Sequence, residues 1–208
     1  MTKKIIKGII FDNGGVRESD TERVMCRKFA QVLGKSKSYA SVKKVFTALD
    51  HDFQVRKIDN REFCEILAKK LKTDVPVEKL ENVLLDVYVK NSKFFQDVDE
   101  IVARLRKAGY KLAILSNIEP NLAEFNKRRK LYDGFDVVVL SCDVRLRKPD
   151  PKIFRLVLKR LSLKAEECFF VDDKIEHVKA AKKLGIHSIL FKNSPQLERE
   201  LRKLDVKF

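Results

Sequence analysis

From residue 97 onward the chain alternates short apolar runs with amphipathic stretches, and that rhythm limits the fold more than any other feature of the sequence. KLAILSN at 111–117, FDVVVLS at 135–141, ECFFVDD at 167–173 and HSILF at 187–191 have strand length and β-branched or aromatic weight. Helical segments fall between them. One spans about 97–108 and ends at Gly109, and a second covers about 120–130. A third opens at Asp150-Pro151, an N-cap followed by proline at the first helical position, with Ile153, Phe154, Val157, Leu158 and Leu161 on one face. A fourth runs to Leu184, where Gly185 can stop it, and PQLERELRKL at 195–204 gives a last helix. IIKGIIF at 5–11 supplies one more strand. The expected class is α/β: a Rossmann-like parallel sheet of about five strands with helices on both faces.

After the first strand the rhythm is interrupted. The residues following IIKGIIF read DNGG, and Asn-Gly and Gly-Gly are hairpin signals. What comes next, RESDTERVMCRKFAQVLG, is polar and then helical, with Val24, Phe29, Val32 and Leu33 as its apolar stripe. A hairpin would need a second alternating strand there, so the glycines are expected to let the backbone leave the strand sharply. From about 20 to 95 several helices are expected. Asp59 with Glu62 reads as a capping box, and Pro76 separates that helix from VEKLENVLLDVYV. The predicted organisation is a core of residues 1–17 and 96–208 carrying a small all-helical insert, 18–95.

The 208 residues suit one sizeable domain with an insert. No apolar run reaches the roughly 20 residues of a membrane helix. The N-terminal MTKKIIKGIIFDNGG has a short apolar run, interrupted by Lys7 and ending in an acid, so no signal peptide and no membrane partner are read, and a cytoplasmic location is expected. Cys26, Cys64, Cys142 and Cys168 lie far apart with no CxxC pair, which predicts free, buried thiols. Forty-five Lys and Arg against thirty Asp and Glu leave a formal charge of +15. Such a surplus can mark a nucleic-acid binder. Here the cations are spread among acids, and the densest run, Lys127 to Lys130, falls at the end of a predicted helix, where positive charge suits the helix dipole. A lysine-rich solvated surface that favours anionic substrates is expected, with nucleic acid as the alternative partner.

Open parallel sheets bind ligands at the carboxyl ends of their strands. The polar residues at those ends are Asp12, Ser116 with Asn117, and Asp172 with Asp173, while Lys148 lies in the loop after the third strand. Each alone has an ordinary structural role, as turn residue, strand-end serine or helix cap. Together, three carboxylates, a hydroxyl and an ammonium suit magnesium-dependent phosphoryl transfer, because hard oxygen ligands hold Mg²⁺ and a carboxylate can form an aspartyl-phosphate. Ser116 can donate to a phosphate oxygen, and Lys148 can offset charge on nucleophile and phosphate.

Four segments, IIFDNGGV, LAILSN, RKPDPKIF and FFVDD, match in order the motifs of the haloacid-dehalogenase-like (HAD) hydrolase superfamily. The chain resembles that family over almost its whole length, with the helical insert where the family's C1-type cap belongs. The resemblance implies that Asp12 is the nucleophile, that Ser116, Asn117 and Lys148 meet the substrate phosphate, and that Mg²⁺ is held by Asp12, the Gly14 carbonyl, Asp172 and Asp173. It implies a phosphatase acting on a small phosphorylated compound.

One departure stands out. Family phosphatases read Asp-x-Asp, and the second acid protonates the leaving alcohol; here that position is Gly14. General acid catalysis is typically worth about 10²–10⁴-fold. Either the leaving group needs no proton, or another acid serves (Glu18, Asp20 or an insert residue), or the fold has become a non-enzymatic binding module. The dehalogenase branch also lacks the second acid, but it has no need of the metal acids. His177, four residues beyond Asp173, is placed by helical spacing over the same crevice. Arg17, Arg56 and Lys57 are expected anion contacts on location and charge.

Overall fold

The computed structural model describes residues 5–34 and 37–208. Residues 1–4, the start of the expected core segment, lie outside them. Five parallel strands, β1 (Gly8–Phe11), β2 (Lys111–Ser116), β3 (Val137–Leu140), β4 (Cys168–Asp172) and β5 (His187–Leu190), form one sheet in the order β3-β2-β1-β4-β5. The central strand β1 is buried at every position, and its Phe11 stands opposite Ile114 of β2 and Val171 of β4. A strand covered on both faces must be apolar on both, which explains the unbroken run read from the sequence. The chain builds outward from β1 to β2 and β3 on one side and to β4 and β5 on the other. The end of β1 is therefore the topological switch point.

Successive side chains of a strand point to opposite faces, so two cores form. Ile9, Phe11, Leu112 and Ile114 pack with α5 (Gln96–Lys107), α6 (Pro120–Arg128) and α10 (Ser194–Lys203). Ile10, Ala113 and Leu115 pack with α8 (Pro151–Leu161) and α9 (Ile175–Lys183) on the other face. A short helix, α7 (Ser141–Val144), follows β3 directly. Asp150 caps α8 with Pro151 at its first position, and Gly185, at φ 85°, follows the end of α9, as their residue types predict.

Between β1 and α5 lie four helices: α1 (Glu22–Leu33), α2 (Tyr39–Gln54), α3 (Asn60–Leu71) and α4 (Val77–Asn91). They enclose a core of their own around Phe29, Phe46, Phe53 and Phe63, where the Phe53 and Phe63 rings stack at 4.5 Å. The Asp59–Glu62 capping box is present. The apolar stripe of α1 differs from the expected one: Met25, Cys26, Phe29 and Leu33 are buried, whereas Val24 is half-buried and Val32 exposed. Phe29 and Leu33 stay on the buried face, and its flank is filled by Met25 and Cys26 instead of Val24 and Val32.

No hairpin follows β1. The Asn13 carbonyl accepts from the N–H groups of Val16, Arg17 and Glu18 in a tight loop, and the chain passes to the bundle. The outgoing and returning passages run side by side: Phe95 N–H donates to Arg17 O, and Ser19 N–H donates to Lys93 O, both at 2.9 Å. All four cysteines are buried and free. Among the described residues, no helix is long and apolar enough to cross a membrane.

Candidate active site

Lys148 is the centre of the site. Its side chain is fully buried, and its ammonium lies 2.9 Å from Asp12 Oδ1 and 2.6 Å from Asp172 Oδ2. The loop carrying it is fixed from β2, because Asn117 donates through Nδ2 to the Lys148 carbonyl at 2.9 Å and accepts the Lys148 N–H on Oδ1 at 2.8 Å. The Asn117 side chain thus holds the lysine, although the residue also lines the crevice. Burial works against the Lys148 charge; Asp12 and Asp172 outweigh it and keep the ammonium above its ordinary range.

Asp12 follows the last residue of β1, its N–H bonded to Val171 O. Its Oδ1 accepts both the Lys148 ammonium and, at 2.7 Å, the Asn13 N–H. Burial is the largest influence on this carboxyl; with Asp172 and Asp173 nearby it pushes the group up to about 8, against the pull of Lys148. Asp172, at the end of β4, is the opposite case. Burial disfavours its charge too, but Lys148 and a hydrogen bond from His177 prevail and hold it below the usual carboxylate range. His177 Nδ1 lies 3.0 Å from Asp172 Oδ1, so the histidine orients a carboxylate from beneath the crevice. The neighbouring Asp173 carries a buried Oδ1 with no hydrogen-bond partner.

The two glycines of the loop after Asp12 differ. A Cβ on Gly15, which sits at φ 76°, would stand 2.2 Å from Asp173 Oδ2, so only glycine lets that acid lie against the loop. A Cβ on Gly14 would meet nothing within 4 Å.

Above these residues a crevice runs between the sheet edge and the bundle. Gly14, Ser116 and Asp173 line its floor, while Asp20, Glu22 and Asp50 with Gln54 and Glu119 line its walls. Three expected anion contacts are elsewhere. Arg17 is buried on Asp99 at 2.8 Å and lies 4.8 Å from the centre of the Phe135 ring, Lys57 pairs with Asp52, and Arg56 faces a separate surface depression. They were singled out for charge and proximity in sequence, neither of which specifies direction. The Lys127–Lys130 run is partly engaged within the protein: Lys127 pairs with Asp143, Arg128 with Glu124, and Arg129 sits over the Phe125 ring.

Glu18 is held as an acceptor. Its carboxylate takes hydrogen bonds from Asn13 Nδ2, Tyr88 Oη and, at 2.7 Å, Ser92 Oγ. Three protein donors thus occupy its oxygens. Glu119, which the sequence reading passed over, is the acid of unusual character. Burial, then repulsion from Asp50, raise its carboxyl from 4.5 to about 7. The signal available in the sequence was an acid three residues past Ser116 and directly before Pro120, at a strand-to-helix turn.

A haloacid dehalogenase-like hydrolase family model matches residues 10–191. The chain belongs to that family. Among its relatives, this HAD-like hydrolase is 30% identical over 192 residues to the phosphorylated carbohydrates phosphatase of Thermotoga maritima, covering 88% of this chain and 84% of that one. It is 35% identical over 146 residues to acyl-CoA dehydrogenase family member 10 of mouse, covering 69% of this chain but 13% of that protein. Its 151-residue match to pig bifunctional epoxide hydrolase 2 likewise spans 27% of the relative. Among solved structures, the magnesium complex of a HAD family enzyme from Bacteroides thetaiotaomicron shares the fold, with a TM-score of 0.74, 22% identity, and coverage of 90% of this chain and 93% of that one.

Removing the Lys148 ammonium should leave two buried carboxylates facing each other. Lys148→Met is expected to lower the unfolding free energy in EDTA by about 3–5 kcal/mol, measured by urea titration. Glu119 gives a pH signature. Its folded-state carboxyl is raised from 4.5 to about 7, so its contribution to stability is full below pH 4.5 and lost as pH rises through about 7. Glu119→Gln should therefore gain stability relative to wild type between about pH 5 and about pH 8, read as the difference in urea midpoints.

Proposed function

We propose that this HAD-like hydrolase is a magnesium-dependent phosphatase that releases phosphate from a small phosphorylated compound through an aspartyl-phosphate on Asp12. The observation that carries this reading is the Lys148 ammonium buried between Asp12 and Asp172, beside an acid with an unpartnered oxygen. The phosphatase among the relatives and the magnesium complex among the structural neighbours support it.

The residues fit the ion. One buried ammonium is shared by two carboxylates, and Asp173 Oδ1 beside them is an orphaned buried acceptor. Ligand atoms of Asp12, Asp172 and His177 lie within 4.8 Å of one another. Asp12, Asp172, Asp173 and the Gly14 carbonyl would hold Mg²⁺, with His177 orienting Asp172; the bound ion neutralises charge on phosphate oxygens.

The chain's own residues then have distinct tasks. Lys148 and the Asn13 N–H both engage Asp12 Oδ1, which leaves Oδ2 for new bonds. Asp12 attacks phosphorus, and the bond from phosphorus to the leaving oxygen breaks. Ser116, buried at the end of β2, donates to a phosphate oxygen, and Lys148 offsets the charge gathering there. Water then hydrolyses the acyl-phosphate and restores Asp12. The bundle of residues 18–95 acts as a cap that excludes bulk water and favours small substrates.

Phosphate release from p-nitrophenyl phosphate should require Mg²⁺, stop with EDTA, and vanish in Asp12→Asn. No release across aryl and acyl phosphates would mean a binding module instead. Because a side chain has room at residue 14, Gly14→Asp should fold and should speed alkyl-phosphate cleavage by up to about 10²–10⁴-fold, with a much smaller effect on aryl phosphates. Equal acceleration of both would refute the account of the missing proton donor.

A further inference from the structure

The walls of the crevice above the phosphate position offer acceptors and few donors. Glu22 is paired with Lys43, and Asp50 lies 3.3 Å from Arg147. Glu119 has no ion-pair partner among the described residues. Gln54, contributed by α2 and only 9% exposed, donates through Nε2 to Asp50 Oδ1 at 2.8 Å. Its Oε1 is buried with no hydrogen-bond partner, although Gln54 lines the crevice. An orphaned carbonyl oxygen in such a place is destabilising unless something donates to it. The α2 end that carries it is fixed to the sheet domain, since Ser141 Oγ donates to the Gln54 main-chain oxygen at 2.8 Å.

The crevice holds few cations. Lys148 lies beneath the nucleophile. Lys174 is the one lysine lining the crevice among the described residues; burial works against its charge, and Asp20, Asp173 and Asp12, which line the same space, more than restore it. His177 is turned to Asp172, and burial lowers its proton affinity. The expected anion contacts Arg17, Arg56 and Lys57 do not line this space. A leaving group bearing a carboxylate or second phosphate would meet Asp50, Glu119 and the Gln54 carbonyl, with Lys174 as the one lysine lining the crevice among the described residues. A leaving group bearing an ammonium, or an ammonium with hydroxyls, would satisfy the Gln54 oxygen and bring Glu119 the counter-charge it lacks.

We propose that the crevice selects phosphate esters of amino alcohols or amino sugars, with Glu119 and Gln54, backed by Asp50, receiving the ammonium. This rests on the phosphatase reading above and adds the class of substrate to it. Burial and the neighbouring Asp50 hold the Glu119 carboxyl high, to about 7, and a bound cation would favour its ionised form.

Matched pairs test it: glucosamine 6-phosphate against glucose 6-phosphate, which differ in one amino group, and O-phosphorylethanolamine against 2-phosphoglycolate. With the full chain and Mg²⁺, kcat/KM should favour the amine member of each pair by at least about tenfold. Glu119→Gln and Gln54→Leu should each lower that ratio toward one, by reducing kcat/KM for the amine far more than for its twin. A ratio near one in the wild type, or a preference for the carboxylate, overturns the proposal. So does a Glu119→Gln variant that slows both members equally, because that marks a proton donor and not a recognition residue. If p-nitrophenyl phosphate is cleaved but the amine preference is missing, only this inference fails. If no phosphate ester or acyl phosphate is cleaved, the phosphatase reading fails with it.

Discussion

A lysine side chain with no exposure at all is stable only where its charge is answered, and the arrangement of the sheet edge answers it twice. Asp12 and Asp172 end adjacent parallel strands, and Lys148 reaches both from the loop after β3. Desolvating the ammonium is a large penalty that neither carboxylate would offset alone. The three charges therefore require one another: the strand order 3-2-1-4-5 brings them together, and their pairing holds the strand ends in place. Asn117 adds the remaining support. By binding the Lys148 main chain in both directions, it makes the position of the ammonium depend on β2 as well.

The second dependence runs from the loop after Asp12 to the helical bundle. Glu18 receives donors from Asn13 in that loop and from Tyr88 and Ser92 at the end of the bundle. Tyr88 Oη accepts in turn from Asn126 Nδ2 of α6, at 3.0 Å. One carboxylate thus ties the residue next to Asp12 to both passages of the chain and to the sheet domain. The bundle wall that carries Asp50 and Gln54 is aimed by this anchor and by the Ser141 contact. A buried polar network fixes a geometry more sharply than apolar packing does, because each lost bond strands a partner.

The sequence disclosed the parts of this structure that depend on local pattern. Strands buried on both faces are uninterrupted apolar runs, helix starts carry Asp150-Pro151 or the Asp59–Glu62 box, and the acids at strand ends fall where strands stop. Residues whose role depends on which way a side chain points were not legible. Arg17 lies five residues past Asp12, yet its guanidinium turns to Asp99 and the Phe135 ring. Glu18 looks like a spare acid until Tyr88 and Ser92 arrive from seventy residues away. Val32 fits the apolar stripe of α1, but Met25 and Cys26 join Phe29 and Leu33 on the buried face in its place. Gln54 and Asp50 meet Glu119 only once the bundle is folded onto the sheet, so no short stretch of sequence could reveal that wall.

The glycine where a proton donor is expected gains a physical context from the same wall. Packing does not demand glycine at residue 14, as it does at residue 15, because a side chain there would meet open space. The absence of the acid therefore bears on chemistry. A leaving alcohol is hard to expel unprotonated in proportion to its basicity, and an ammonium one or two carbons away withdraws electron density and makes the alkoxide less basic. Substrates that fit the acceptor-lined wall would thus be among the alkyl phosphates that least need the missing proton. Ionised Glu119 beside that ammonium would weaken the withdrawal somewhat, so recognition and expulsion pull in opposite directions at this residue. The balance between them sets how much Gly14→Asp can still gain on O-phosphorylethanolamine compared with 2-hydroxyethyl phosphate, and the gain should be smaller on the amine.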